Sequence, residues 1–292
     1  MAGKWNLKFS NHSWIRELHA ATSVSWQWEK MRETKSVSLN RPAAIATQTE
    51  TGESDGIYLP YNYVAQMEID GKPLYVTVSA RTHLAFPLGG LQNRMNLGVE
   101  WNYQKNLGKG QVFDVTRPIS EGFSTRPRRF KDIPGLQPFA FYAEEVLNLP
   151  VKRHKLAFTA GIRLQSLLGL DRKYEMQGKI YPDLRLDLQW SLPTSNGWNI
   201  AFSGGLGWIS RMPTTAQLYP DFKYVDLIQL NYYHNHPDYR RINMMTYKWD
   251  NTNYQLEPAR NMKWEVRADI GYKGNRLSAT YFRERMNNAF DD

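Results

Sequence analysis

Cysteine is absent from the 292-residue chain, which excludes a disulfide framework and cysteine-based metal sites. Long apolar runs are also missing. Runs of the kind found at residues 43–46 are far shorter than the roughly 18 to 20 residues of a membrane-spanning helix. Charge of one sign is not concentrated either: the net charge is +9, but the basic residues are scattered, apart from a cluster at 126–131. We therefore expect no nucleic-acid partner.

Aromatic residues make up 13% of the chain, although the sequence is polar on average, with a mean hydropathy of −0.60. Apolar and polar residues alternate one by one over long stretches such as 182–192 and 262–272. Side chains at positions i and i+2 share a face in a strand but not in a helix, so this alternation predicts β-strands. In the first stretch the apolar set is Leu184, Leu186, Leu188, Trp190 and Leu192.

Turn sequences such as Asp70-Gly71 and Lys273-Gly274 divide the alternating stretches into about twelve antiparallel strands. Short and long connections mostly alternate along the chain, with one short exception at residues 87–90. This alternation predicts an up-and-down meander. The predicted strands lie near 4–10, 16–32, 57–69, 72–86, 91–105, 110–118, 137–148, 155–169, 180–192, 198–210, 263–272 and 276–289. The predicted long loops lie near 33–56, 119–136 and 211–262.

The alternation fits both a soluble sandwich, which buries the apolar face, and an outer-membrane barrel, which turns that face to lipid. Three features favour the barrel. Several predicted strands are longer than the roughly 5 or 6 residues typical of soluble proteins. The polar faces are rich in charged residues, and aromatic residues end the apolar faces, as in an interfacial girdle. These aromatic residues are Tyr103, Trp190, Trp198, Trp208, Tyr272 and Tyr281.

The sequence thus predicts an all-β protein, an up-and-down antiparallel transmembrane β-barrel in a Gram-negative type of outer membrane, surrounded by outer-membrane lipid. Both chain ends are expected on the long-loop side, which is an unusual place for a complete barrel to begin and end. We therefore expect the chain to be a fragment of a larger barrel.

The 211–262 loop is rich in aromatic residues that could stack on a sugar or an aromatic chelate. An alternative is that the loop packs on itself as a hairpin, with 226–233 paired to 241–249. A metal site at His234 and His236 is not expected, since no third ligand stands at a defined spacing. The basic cluster at 126–131 could touch anionic lipopolysaccharide or an anionic ligand, but the favoured expectation is a solvated loop face. The candidate ligand-binding residues are Tyr219, Tyr224, Tyr232, Tyr233, His234, His236 and Trp249.

Catalytic motifs are not recognisable in the sequence. Residues 201–205 lack the first glycine of a nucleophile elbow, and Gly205-Leu206-Gly207 opens no predicted helix, which excludes a dinucleotide fingerprint. We expect neither an enzyme nor a bound cofactor.

From Leu206 onward the sequence resembles TonB-dependent outer-membrane receptors. Residues 207–220 are similar to the family's pattern of an aromatic residue, Arg, a small residue and Pro, followed by Leu-Tyr or Leu-Phe. Residues 253–260 are similar to its Asn-Pro-x-Leu-x-Pro-Glu segment, although Tyr254 replaces Pro and Ala259 replaces Glu. The strand end at 281–285 also resembles the family, and the resemblance is weaker over 137–205.

The resemblance implies a barrel of about 22 strands, of which this chain would supply about twelve, closed by a plug domain that is not recognisable here. It also implies uptake of a scarce nutrient, an iron chelate, cobalamin or an oligosaccharide, driven through the plug by the TonB energy-coupling protein. The alternatives are a passive porin-like or structural outer-membrane barrel and a soluble β-rich carbohydrate-binding protein.

Overall fold

The computed structural model describes residues 1–10, 14–86, 91–122, 124–193 and 196–288. Antiparallel strands dominate these residues, and the helices are short: two 3-10 helices, Phe130–Asp132 and Pro237–Tyr239, and the helix α1, Thr215–Leu218. Among the described residues, no helix combines the length and the apolar character needed to cross a membrane. In chain order the strands are β1 (Ala2–Lys8), β2 (Ile15–Trp26), β3 (Glu29–Ser38), β4 (Ala44–Ile45), β5 (Gly52–Asp55), β6 (Ile57–Tyr58), β7 (Asn62–Gly71), β8 (Pro73–Leu84), β9 (Gln92–Asn106), β10 (Gly110–Phe113), β11 (Gln137–Val151), β12 (His154–Leu168), β13 (Tyr181–Pro193), β14 (Trp198–Arg211), β15 (Lys223–Tyr232), β16 (Arg241–Trp249), β17 (Ala259–Tyr272) and β18 (Asn275–Asn287).

Ten strands form the main sheet, which we call the wall, in the order β1-β2-β8-β9-β11-β12-β13-β14-β17-β18. Each neighbouring pair is antiparallel. The tight connections contain residues in the left-handed region that two-residue hairpin turns require: Lys152, Lys273 and Gly274 all have positive φ. The predicted all-β, up-and-down antiparallel fold class is confirmed.

Short and long connections alternate around the wall without exception. Two of the twelve predicted strands, 57–69 and 110–118, are not wall strands. Residues 57–69 contain β6 and most of β7, and β10 is a short strand beside β7 in the separate sheet β10-β7-β3. With these two removed, the short connection after β8 falls into the regular alternation. Its residues 87–90 lie outside the described residues.

The sheet β10-β7-β3 extends the wall on the long-connection side. Strand β3 follows β2 closely, and β7 precedes β8, so the β2–β8 pairing continues into the β3–β7 pairing. The predicted single strand 16–32 is therefore divided at Gln27 and Trp28, where the chain leaves one sheet and enters the next.

One face of the wall is apolar and remains exposed. Leu186 on β13 lies opposite Ala160 on β12 and Leu206 on β14, so the apolar positions of neighbouring strands line up across the sheet. The Leu186 side chain is 43% exposed, and Leu188 and Val266 are exposed in the same way. A continuous exposed apolar surface of this kind is what a lipid-facing wall requires.

The other face carries charged and polar side chains that pair with one another. Asp183, 7% exposed, accepts hydrogen bonds from the Ser210 hydroxyl at 2.6 Å and the Ser210 amide at 2.9 Å. Farther along the wall, Asp269 forms ion pairs with Arg267 and Arg276, each at 2.9 Å. We call this side of the wall the polar face.

Part of the predicted aromatic girdle lies at the short-connection end of the apolar face. Trp198 stacks on Tyr272 at 4.4 Å between ring centroids, and Trp190 stacks on Phe202 at 5.6 Å. Tyr281, in contrast, pairs with Val266 well inside its strand, because β18 begins at Asn275.

The wall assignment predicts unequal tolerance of its two faces to charge. Leu186→Arg places a cation on the lipid side and is expected to cost about 2–4 kcal/mol of unfolding free energy in bilayers. The matched change Arg185→Gln on the adjacent polar-face position, which removes an exposed ion pair with Asp187, is expected to cost little. Urea unfolding in lipid vesicles measures both values, and equal costs would contradict the assignment.

Candidate functional site

The candidate residues of the 211–262 loop lie in three separate places. The predicted alternative to direct ligand contact is present, because β15 and β16 pair as a hairpin across most of the loop. This hairpin carries some of the aromatic residues away from the others. Tyr219 and Tyr224 line a cavity at its base; Tyr232, Tyr233, His234 and His236 lie at its tip; and Trp249 lies at the end of β16 with the Lys223 ammonium over its ring at 5.8 Å.

The tip residues are held by local contacts. The Arg240 guanidinium lies over the Tyr233 ring at 4.7 Å, and its Nε donates to the His234 carbonyl at 2.9 Å. The His236 amide donates to His234 Nδ1 at 3.0 Å. Within the described part of the chain, the tip offers no group of three metal-ligating side chains, whereas one such group, Glu17 with His19 and His83, lies on the wall.

A cavity of about 790 Å³, which we call the outer cavity, lies between the connections 107–136, 169–180 and 212–258. Its lining combines aromatic rings with charges of both signs. The Lys173 ammonium lies over the Tyr254 ring at 5.9 Å, and the Lys248 ammonium lies over the Phe222 ring at 4.4 Å. Aromatic faces and cations together suit a ligand that is itself planar or ring-shaped and carries oxygen atoms.

Three tyrosines, which we call the tyrosine cluster, form one side of the outer cavity. Tyr174 contacts Tyr219 at 5.7 Å and Tyr254 at 5.2 Å between ring centroids. Its hydroxyl donates to the Leu218 carbonyl at 2.6 Å, and burial raises the pKa of both Tyr174 and Tyr219. These phenols therefore stay neutral and fixed, which makes them a rigid surface.

The tyrosine cluster packs on a small hydrophobic core beneath the loops. Leu218, at the end of α1, is fully buried with Leu136, Leu167 and Met176. The helix is held by a capping box in which the Thr214 amide and hydroxyl both donate to the side-chain oxygen of Gln217. The residues 207–220 that carry the family resemblance thus position Tyr219.

Arg126 joins three long connections at the edge of the outer cavity. Its Nε donates to the Gln48 carbonyl at 3.0 Å, and its Nη2 forms an ion pair with Asp226 at 2.9 Å. Asp226 also accepts from the Thr246 hydroxyl at 2.8 Å, and the Tyr224 ring lies 5.0 Å from the guanidinium. The prediction that the 126–131 cluster is a solvated face is wrong for Arg126, whose side chain is only 5% exposed.

A second contact between connections is a short antiparallel pairing of β5 with β16. Strand β5 belongs to the connection that follows β2, and β16 belongs to the connection that follows β14. The pairing therefore joins two connections that leave distant strands of the wall. Together with Arg126, it holds the loops as one interlocked layer.

A smaller cavity of about 540 Å³ adjoins the outer cavity on the side of the wall. It is lined by Tyr75 and Gln104, which occupy paired polar-face positions of β8 and β9. From the far end of the wall it is lined by Thr215, Ala216, Tyr219, Pro220 and Asp221. The polar face is therefore the concave side of the sheet. Between the two cavities, Arg128 forms an ion pair with Asp221 and donates to the Tyr219 carbonyl at 2.9 Å.

Sequence reasoning missed Arg126 and Tyr174 as parts of this site. Tyr174 stands in the connection between β12 and β13, which carries no motif, and only the packing of that connection against α1 brings it to the cavity. Arg126 carries no local signal of its role either, because its ion-pair partner Asp226 lies 100 positions away in the chain.

Removing the Arg126 guanidinium is expected to loosen the interlocked loops. Arg126→Ala leaves Asp226 partly buried without its cation, at a local cost of about 3–5 kcal/mol. Hydrogen exchange in detergent should then show faster exchange of β15 and β16 amides, while the wall is unchanged. Arg129→Ala removes an exposed cation from the same cavity and serves as the control; equal effects of the two changes would contradict the role of Arg126.

Comparison with known proteins agrees with this architecture. The sequence pattern of the family described as "TonB dependent receptor-like, beta-barrel" matches residues 2–292. No curated protein gives a significant match. The members of this family are outer-membrane receptors that transport nutrients, and the match covers nearly all of the chain, so the chain belongs to the TonB-dependent receptor β-barrel family.

Proposed function

We propose that the intact protein lies in the outer membrane and captures a scarce nutrient in the outer cavity for inward transport, coupled to TonB through a plug domain. The observation that carries this proposal is the pair of adjoining cavities. The outer one lies among the loops, the inner one reaches the polar face of the wall, and the Arg128–Asp221 contact lies between them. A ligand held among the loops would thus reach the interior after a small rearrangement.

The dimensions and lining of the outer cavity support a ligand larger than a single sugar or ion. A volume of about 790 Å³ lies within the range of about 300–1,000 Å³ typical of small-molecule sites. Tyr219 and Tyr254 offer partly exposed ring faces for stacking, with the buried Tyr174 packed behind them, and the surrounding lysines offer charge to carboxylate or phenolate oxygens. Iron chelates with such oxygens meet the whole description, whereas cobalamin and oligosaccharides meet its size and stacking parts.

The interlocked loops favour a receptor over a passive porin. A porin needs a mouth that stays open to water, whereas Arg126 and the β5–β16 pairing tie the loops together over the polar face. The exposed apolar face argues against the soluble carbohydrate-binding alternative, since such a surface in water favours aggregation. We further propose that the ligand is carried without chemical change, so the protein is not an enzyme.

The receptor proposal predicts that the tyrosine cluster determines ligand affinity. A ferric chelate, cobalamin and a malto-oligosaccharide are titrated separately against the full-length receptor in detergent, and uptake is measured in cells. For the ligand that binds, Tyr254→Ala is expected to weaken binding roughly tenfold, since stacking on one ring contributes about 1.4 kcal/mol.

Two further variants separate ligand contact from loop structure. Tyr239→Ala, an exposed aromatic at the hairpin tip, is expected to bind normally. Deletion of 221–250 is expected to abolish uptake while the barrel still assembles in the membrane. Uptake that survives the deletion would remove this loop from the binding site, and equal losses for Tyr254 and Tyr239 would place the ligand elsewhere.

A further inference from the structure

Three side chains with metal-ligand chemistry meet on the polar face near the short-connection end of the wall. Glu17 and His19 come from β2, and His83 comes from β8. One ligand atom from each lies within 4.8 Å of the others, and all three residues are half-buried. The group is remote from the outer cavity, which lies at the long-connection end.

Strand pairing explains why the three meet. Glu17 is paired directly with His83, and His19 stands two positions along β2, so all three point to the same face. The register shifts between Ile15 and Glu17, where one extra residue is inserted into β2. From Glu17 to Trp26 the pairing with β8 is regular, so the bulge lies just outside the group, at the short-connection end.

Both imidazoles are oriented by amide side chains. Asn6 Oδ1 lies 2.5 Å from His19 Nδ1, and Asn96 Oδ1 lies 2.5 Å from His83 Nδ1. An amide oxygen can only accept, so each Nδ1 donates to it and Nε2 is the nitrogen available to a metal ion. At His19 this nitrogen faces the Glu17 carboxylate, so an ion bound there would replace a hydrogen. Histidine ligands of metals are held in this way by acceptors on the other nitrogen.

The second layer of contacts extends one step further. The Asn96 amide nitrogen donates to Glu144 on β11 at 3.1 Å, which fixes the oxygen toward His83. His19 Nε2 lies 3.0 Å from Glu17 Oε2. Two ligands bonded to one zinc ion at about 2.0–2.2 Å in tetrahedral geometry are separated by about 3.3 Å, which is close to the His19–Glu17 spacing. The His83 ligand atom lies within 4.8 Å of both. The His19 and His83 rings are 5.5 Å apart and nearly perpendicular, at 88°.

We propose that Glu17, His19 and His83 bind a divalent transition-metal ion of the zinc class through two imidazole nitrogens and one carboxylate. Such a set leaves at least one coordination position open, and here it faces the concave polar side of the wall. The ion would cross-link β2 and β8 and present a ligand position to whatever occupies the interior. This site is independent of the nutrient and revises the expectation that the chain lacks metal ligands.

Zinc titration of the full chain tests the site. The protein is purified in detergent, stripped with a chelator and titrated calorimetrically with Zn²⁺, and one ion per chain is expected. Asn96→Ala is expected to weaken binding about 10–100-fold, and His83→Gln more strongly, because it removes a ligand. His154→Gln is the matched control, since His154 accepts a hydrogen bond from Trp190 at 3.0 Å and lies outside the group; its affinity should be unchanged.

The proposal fails if the wild-type chain binds no zinc, or if His83→Gln binds as tightly as His154→Gln. X-ray absorption at the zinc edge on the loaded wild-type chain gives a test that does not depend on variant folding. Scattering from two imidazoles and light-atom ligands is expected. A spectrum without imidazole scattering would overturn the assignment, even if zinc were bound.

Discussion

Every backbone N–H and C=O group of a strand that crosses a bilayer must bond to a neighbouring strand, because hydrocarbon offers no other partner. The strands of the wall from β2 to β17 meet this demand through antiparallel pairing on both sides, and the pairing fixes which face each side chain occupies. Once register is set, the two-residue alternation assigns each side chain to lipid or to the concave interior. Leu186 and Arg185, adjacent in sequence, therefore face entirely different solvents.

The same constraint explains where irregular structure is allowed. Tight turns at one rim need only a few residues, so the variable material collects in the long connections at the other rim. These connections recover order through their own polar contacts, among them the Arg126–Asp226 pair, in which Nη2 donates to both carboxylate oxygens at 2.9 and 3.1 Å. A charge pair of this kind adds little net stability, but it specifies one arrangement of three loops. A binding cavity needs such a fixed arrangement, because its lining comes from segments far apart in the chain.

Sequence reasoning succeeded where structure follows from local periodicity. The alternation around Leu186 predicts β13 and its faces, and positive-φ turn residues such as Gly274 mark the hairpins. It was less successful with 57–69 and 110–118, which have strand composition but pair outside the wall. Periodicity reports that a segment is extended, not which neighbour it joins. The outer cavity depends on contacts such as Arg126 with Gln48 and Asp226, and no local pattern encodes those.

The polar face therefore carries different chemistry at its two ends, and both kinds arise from pairing rather than from motifs. At the long-connection end, aromatic rings from separate loops form a surface suited to a large organic ligand. At the short-connection end, the regular β2–β8 register places Glu17 opposite His83 and His19 two positions along, which groups one carboxylate and two imidazoles. Under the proposed transport, a ligand of the first kind must leave the site, whereas an ion held by three side chains on paired strands would stay. The two proposals together assign passage of a ligand to one end of this surface and retention of an ion to the other.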